Sequence, residues 1–287
     1  MIARIIKIVS REYTLLDEEA NRYEAILMGK VRKQDRPVAG DMVEAEFSAG
    51  RWVIQRILPR KNRLVRPACA NIDQAMIVMS VKDPDFSPAL IDRLSILIMK
   101  ADVEPVLVIT KTDLPFDDSI EERIREYERG RMKTIRTNAK NLSSEIEKVL
   151  RGKVTVLTGQ SGAGKSTLLN TIEPSFNLQT QEISKALGRG KHTTRHNELH
   201  EVAGGLVADT PGFSSLEFGT ITAAELGECV PDFVPYIGRC RFNDCIHQNE
   251  PDCAVKEAVS AGHIAKVRYA DYLDVLQIIQ NRKEKYL

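Results

Sequence analysis

The sequence predicts three units in succession: a small antiparallel β-barrel, a mostly parallel α/β sheet, and a helical segment clipped together by cysteines. Three observations carry this. Apolar and polar residues alternate in short runs through residues 3–58, strand and helix patterns alternate over residues 74–208, and three cysteines and a histidine crowd into residues 240–253. At 287 residues the chain can bury one large core or two to three modest ones.

The barrel rests on period-two alternation at residues 3–9, 23–28, 42–47 and 52–58, broken by turn-rich stretches that hold Gly40, Asp41, Ala49 and Gly50. Strands of this length with such breaks argue against helices. An OB-like barrel is the economical form, and barrels of that kind commonly hold oligonucleotides. Residues 1–66 contain 14 Lys or Arg against 9 Asp or Glu, in a chain whose formal net charge is only +1. Such an excess suits an anionic partner, and a solvated basic surface gives the same count. The basic segment 60–66, ending at Pro67, reads as a linker. Residues 1–9 are too short, and too interrupted by Arg4 and Lys7, for a signal peptide, and no apolar stretch approaches a membrane span, so a cytoplasmic protein without membrane contact is expected. In that compartment five cysteines are thiols or metal ligands rather than a disulfide framework.

From residue 70 the pattern changes. Strands are expected at 74–81, 105–110, 133–136 and 154–158, with helices at 87–101, 119–129 and 142–150 between them, the signature of a parallel sheet covered by helices. Residues 198–202 and 206–208 flank Gly204-Gly205, a hairpin turn. After Phe213 the rhythm stops, and a cysteine cluster and a helical tail at 263–285 follow.

The chemistry lies at the strand ends. GQSGAGKS comprises Gly159, Gln160, Ser161, Gly162, Ala163, Gly164, Lys165 and Ser166, between an apolar strand and a helical run that opens with Thr167. In such a loop backbone N–H groups wrap phosphates, Lys165 reaches the outer phosphate oxygens and Ser166 offers its hydroxyl to Mg2+. Asp209-Thr210-Pro211-Gly212 closes a later strand; the carboxylate can hold Mg2+ through water while the Gly212 N–H meets the terminal phosphate. Thr110-Lys111-Thr112-Asp113 ends another. Asp113 can accept from the amino and imino groups of guanine, a pair adenine does not offer, and the Lys111 stem can pack over the base. The usual motif begins with Asn, so Thr110 puts in question the support Asn lends to the loop. Thr137, Asn138 and Ala139 follow the next strand and can turn N–H groups toward the guanine oxygen.

GRGKHTTRH, at 188–196, occupies the place of a mobile first switch, where Thr193 or Thr194 is the Mg2+ ligand. Phe213 follows Gly212, so the glutamine that orients water in many GTPases is missing there. His192 can take that role once a partner orders the loop; a solvated loop histidine is the competing reading. The order is itself informative, because the base-reading motif precedes the phosphate loop, so the nucleotide-binding sheet is circularly permuted.

Cys240, Cys245, His247 and Cys253 have the spacing Cys-x4-Cys-x-His-x5-Cys. Three thiolates and an imidazole make a closed tetrahedral set for one structural Zn2+, the clip a small loop-rich segment needs. Cys69 and Cys229 read as ordinary buried thiols. In the tail Val267, Ala270, Tyr272, Leu273, Leu276 and Ile279 recur near helical spacing, with Lys266, Arg268, Arg282, Lys283 and Lys285 around them; the apolar face is expected to pack on the zinc unit, and a basic face touching RNA is the weaker reading.

GQSGAGKSTLLN at 159–170, GRGKHTTRH at 188–196, DTPGF at 209–213 and CRFNDCIHQNEPDCAVKEAV at 240–259, in permuted order and behind a barrel, resemble the RsgA family of circularly permuted GTPases. The resemblance covers essentially the whole chain. It implies an N-terminal OB-like β-barrel, a central α/β P-loop GTPase domain and a C-terminal zinc-binding α-helical domain, with boundaries expected at 1–66, 67–218 and 219–287. It also implies a bacterial cytoplasmic factor that binds the small ribosomal subunit and its rRNA near the decoding region. Such a factor binds GTP and GDP, hydrolyses GTP with Mg2+ when the subunit stimulates it, and leaves after late maturation. No apolar repeat points beyond a monomer. A GTP-responsive RNA-binding module with little hydrolysis is the rival, and Asp113 argues against an ATP enzyme.

Overall fold

The computed structural model describes residues 1–29, 36–64, 68–138, 142, 144–174, 198–208 and 218–282. Strands β1 (Ile2–Val9), β2 (Glu12–Leu16), β3 (Arg22–Leu27), β4 (Met42–Ser48) and β5 (Arg51–Ile57) close into a barrel in the order β1-β2-β3-β5-β4. All neighbours are antiparallel except β3 and β5. Ala3, Ile5, Tyr13, Leu15, Ala25, Val43, Ala45 and Ile54 fill the interior, as the alternation of side chains along a strand requires. The sequence pattern picks out four of these strands and misses β2, where adjacent leucines at 15 and 16 blur the alternation, although only Tyr13 and Leu15 are buried.

The segment expected to be a linker begins by clamping the barrel. Asp41, fully buried, accepts from Arg60 Nε at 2.6 Å and Nη2 at 2.8 Å, and from the Val38 N–H at 2.8 Å, so the buried charge is both paired and hydrogen-bonded. Beyond it β6 (Arg63–Leu64) and β7 (Cys69–Ala70) pair antiparallel.

Next come β8 (Gln74–Ser80), α1 (Pro88–Lys100), β9 (Glu104–Thr110), α2 (Asp118–Arg129), β10 (Lys133–Arg136), α3 (Ser144–Leu150), β11 (Val154–Gly159), α4 (Lys165–Ile172), β12 (Leu199–Val202) and β13 (Gly205–Ala208). Six strands form one sheet in the order β10-β9-β8-β11-β13-β12. Every residue of β8 is buried, as is every residue of β9 after Glu104, the continuous apolar run that a strand covered on both faces needs. The β12–β13 hairpin is antiparallel. No described helix is long and apolar enough to cross a membrane.

The chain divides into two compact units. One comprises Met1–Ala75, Leu142–Thr158 and Lys165–Gly212. Within it, the barrel reaches the hairpin: a backbone bridge joins Lys7 to Glu198, their side chains pair at 2.8 Å, and Arg22 pairs with Glu201.

The other comprises Met76–Asn141, Gly159–Gly164 and Phe213–Leu287, including α5 (Ala223–Leu226), α6 (Ala254–Ser260) and α7 (Lys266–Gln280). Its C-terminal core contains Phe218, Leu226, Phe233, Val255, Tyr272 and Leu276, and Ile96 of α1 belongs to the same cluster, with Leu97 and Met99 packed against it. Arg268 of α7 is only 3% exposed. Its Nε lies 2.9 Å from Asp232 Oδ2, its Nη2 3.4 Å from Asp92 Oδ1 on α1, and its guanidinium carbon 4.8 Å from the Tyr127 ring centre. The Tyr127 hydroxyl donates to Asp92 Oδ1 at 3.2 Å, and the Arg131 N–H donates to Asp232 Oδ1 at 2.8 Å. Burial pushes the Asp92 carboxyl up to about 7 against the pull of Arg268. Arg268 therefore does not belong to a basic outer face of the tail; it is an internal counter-ion. Arg268→Ala would leave two buried carboxylates without their cation and is expected to destabilise the fold by about 3–5 kcal/mol, read as a lower urea midpoint; an unchanged midpoint would remove the clasp as a stabilising element.

Candidate functional site

The predicted phosphate loop leaves β11 at Gly159 and runs into α4, whose first residue is Lys165. Gly159 has φ 118°, and a Cβ there would lie 2.1 Å from the carbonyl oxygen of Val78. Only glycine both takes that conformation and lets the loop rest on the β8 backbone. Ser161 and Gly162 are exposed, Ala163 is buried, Gly164 and Ser166 are half-buried and Thr167 is exposed. Lys165 is half-buried as well, and desolvation pulls its ammonium down to about 8.

The predicted base-reading motif begins at the last residue of β9. Thr110, 5% exposed, places its hydroxyl 2.6 Å from the carbonyl oxygen of Ala163 and 3.3 Å from that of Met79. A hydroxyl has one proton to give, and the shorter contact takes it. Threonine, standing where the usual motif has Asn, thus ties the end of β9 to the loop at 159–164. Lys111 has φ 56°, and its ammonium donates to the carbonyl of Asp83 in the turn after β8. Asp113 is exposed at the loop tip. The Thr112 hydroxyl donates to the Thr137 carbonyl at 3.1 Å, the Asn138 amide lies 3.5 Å from Thr112 Oγ1, and the Thr137 N–H donates to Ile109 at 2.8 Å. Residues 110–113, 137–138 and 159–164 are therefore brought together. Ala139, His192, Thr193, Thr194, Asp209 and Gly212 lie outside the described residues.

The cysteine cluster is assembled as expected. The ligand atoms of Cys240, Cys245, His247 and Cys253 all lie within 4.8 Å of one another. His247 Nδ1 is 3.5, 3.4 and 3.5 Å from the three sulfurs in that order, and Cys240 Sγ is 3.9 Å from Cys253 Sγ. A tetrahedral ion with Zn–S about 2.3 Å and Zn–N about 2.0 Å requires edges of about 3.5 Å for S···N and about 3.8 Å for S···S. The side chains fit zinc on their own geometry. Burial holds the His247 imidazole below its ordinary value, in the neutral form that can coordinate.

Sequence reasoning passed over the groups that hold this cluster. The Tyr269 hydroxyl donates to the His247 carbonyl at 2.8 Å and that of Tyr272 to the Ile246 carbonyl. The Glu250 carboxylate accepts from the Ile246 and Gln248 N–H groups, each at 2.8 Å. A Cβ on Gly227 would meet His247 Nε2 at 2.7 Å. No spacing signals these partners, because they come from α7, from the ligand-bearing loop itself and from the residue that follows α5.

A family model described as RsgA GTPase matches residues 57–219. The chain belongs to the RsgA GTPase family. It is 44% identical over 293 aligned residues to the small ribosomal subunit biogenesis GTPase RsgA 2 of Oceanobacillus iheyensis, covering 99% of each chain. To the small ribosomal subunit biogenesis GTPase RsgA of Bacillus subtilis it is 43% identical over 295, again with 99% of each covered. Among solved structures it superposes on YloQ, described as a circularly permuted GTPase, with a TM-score of 0.84, 37% identity and 99% and 96% of the two chains covered. On YjeQ from Thermotoga maritima the TM-score is 0.83, with 35% identity and 98% and 99% covered. This RsgA family member is accordingly a GTP hydrolase with the permuted motif order, and a GTPase works with a nucleotide and Mg2+. In it, Gly227→Ala should push the added methyl into the His247 ring and weaken divalent-metal retention by about 10- to 100-fold, measured by competition with a chelating dye; retention equal to wild type would show that the ring has room to shift.

Proposed function

We propose that the chain binds the small ribosomal subunit and its rRNA during late maturation, and that subunit-stimulated GTP hydrolysis drives its release. The observation that carries the nucleotide half is the 2.6 Å bond from Thr110 to Ala163, which seats the base-reading loop on the phosphate loop as one guanine-nucleotide cradle. The relatives' names, which specify small ribosomal subunit biogenesis, support the partner. A basic first module, residues 1–66, suits rRNA.

Within that cradle residues 159–164 wrap the phosphates with backbone N–H groups, Lys165 pairs with the outer phosphate oxygens, and Ser166 and Thr167 close the loop. Asp113 reads the guanine edge and Lys111 packs its stem on the ring, with Thr110 as the brace behind them. Thr112, Thr137, Asn138 and Ala139 line the side toward the guanine oxygen. Ser166, Asp209 and Thr193 or Thr194 would hold Mg2+, which neutralises charge developing on the phosphates. Gly212 meets the terminal phosphate, and His192 orients the attacking water once the subunit orders its loop. One Zn2+ on Cys240, Cys245, His247 and Cys253 is structural, since four protein ligands leave no position for water. Barrel, GTPase and zinc parts correspond to residues 1–66, 67–218 and 219–287, and the protein acts as a cytoplasmic monomer.

Phosphate release from GTP should rise strongly on addition of purified small subunits, should not occur from ATP, and should fall on the order of a hundredfold or more in Lys165→Ala. GTP-dependent subunit binding without stimulated release would favour a conformational RNA-binding module instead. The Lys165 ammonium adds a pH signature. Its value of about 8 in the free protein rises when phosphate is bound beside it, because a neighbouring anion favours the charged form. GDP affinity should thus be full below about pH 8 and fall as pH climbs above it; titration of labelled GDP at pH 7 and pH 9.5 reads this, and a flat profile would contradict it.

A further inference from the structure

The turn after β8 bonds one half of the nucleotide cradle and lies beside the other, yet none of its residues belongs to the motifs named above. Ser80, the last residue of β8, is fully buried, and its hydroxyl donates to the carbonyl of Pro84 at 2.9 Å. That bond closes residues 80–84 on themselves. On one side the loop offers the Asp83 carbonyl to the Lys111 ammonium, which donates to it. On the other it sets Pro84 Cδ 3.6 Å from the point where a Cβ on Gly162 would stand. Asp83 and Lys111 hold φ of 51° and 56°, a conformation that non-glycine residues keep only when their surroundings fix it.

A free lysine has several rotatable bonds to order when a ligand packs against it, and that ordering weakens binding. Here the tip of Lys111 is already anchored, so its stem lies in place before a purine arrives. The geometry points to Ser80 as a positioning residue for nucleotide binding: by holding the Pro84 carbonyl, its hydroxyl fixes the loop from which the neighbouring Asp83 carbonyl anchors Lys111. This rests on the base-site role proposed for Lys111, and the competing account is that Ser80 merely satisfies its own buried hydroxyl.

A double-mutant cycle on the full-length protein separates the two, with the Kd for ribose-labelled fluorescent GDP as readout and the melting temperature recorded beside it. Ser80→Ala should weaken binding by about three- to tenfold, the span of one neutral hydrogen bond. Lys111→Met should weaken it at least as much, and the double variant should bind no worse than Lys111→Met alone, because both changes release the same stem. Ser80→Cys keeps the shape with a weaker donor and should fall between wild type and Ser80→Ala, which preserves the test if the alanine variant folds poorly. Multiplying effects, or an unmoved Kd in both Ser80 variants while Lys111→Met binds worse, would overturn the positioning role and leave the base-site reading standing. Wild-type binding by Lys111→Met would overturn both.

Discussion

The hydrogen bond from Thr110 to the carbonyl of Ala163, 2.6 Å long and buried, joins loops 53 residues apart in sequence and constrains what surrounds them. A peptide unit is planar and trans, so fixing the Ala163 carbonyl against β9 aims the Gly164 N–H the opposite way. The phosphate loop is thereby held in a shape that its glycines alone would leave free. Gly159 resting on the Val78 carbonyl adds the second fixed point. Both contacts are made by strand ends, and neither depends on which strand is synthesised first. A permuted chain can therefore keep the same cradle, because what the loops need is adjacency at one edge of the sheet.

The C-terminal region solves a different problem. Its loops hold little regular structure, and two devices compensate: a Cys3His set whose spacing suits a tetrahedral ion, and a core shared with α1. The buried Arg268 adds direction to that shared core. An apolar contact between helices tolerates sliding, whereas a guanidinium between Asp92 and Asp232, stacked on Tyr127, fits one arrangement and penalises others through unpaired charge.

Much of this was legible in the sequence where chemistry is written in spacing. GQSGAGKS between a strand and a helix, residues 110–113 at and just past the end of β9, and the cluster of Cys240, Cys245, His247 and Cys253 all fall where the pattern places them. Elsewhere the pattern is silent or misleads. Strand β2 escapes the pattern because Leu15 and Leu16 are adjacent and only one is buried. Arg268 carries the periodicity of a surface arginine, and only three-dimensional neighbours reveal two carboxylates waiting for it. Ser80, Asp83 and Gly227 act through a carbonyl, a hydroxyl or the lack of a side chain, none of which leaves a spacing to read. At position 110 the letter of the motif departs from Asn, and only the structure reveals that threonine there supplies a short, buried donor to the Ala163 carbonyl.

Ile96, Leu97 and Met99 on α1 pack into the same cluster as Phe233, Tyr272 and Leu276, and this crosses the domain boundary expected near residue 219. In cooperativity language, α1 and the cysteine-bearing region make up one foldon. Opening either exposes the apolar face of the other, so the two share a single opening free energy instead of fraying in turn. An excised C-terminal fragment would lack part of its own interior, and a GTPase domain trimmed of that fragment would expose a helix face to water.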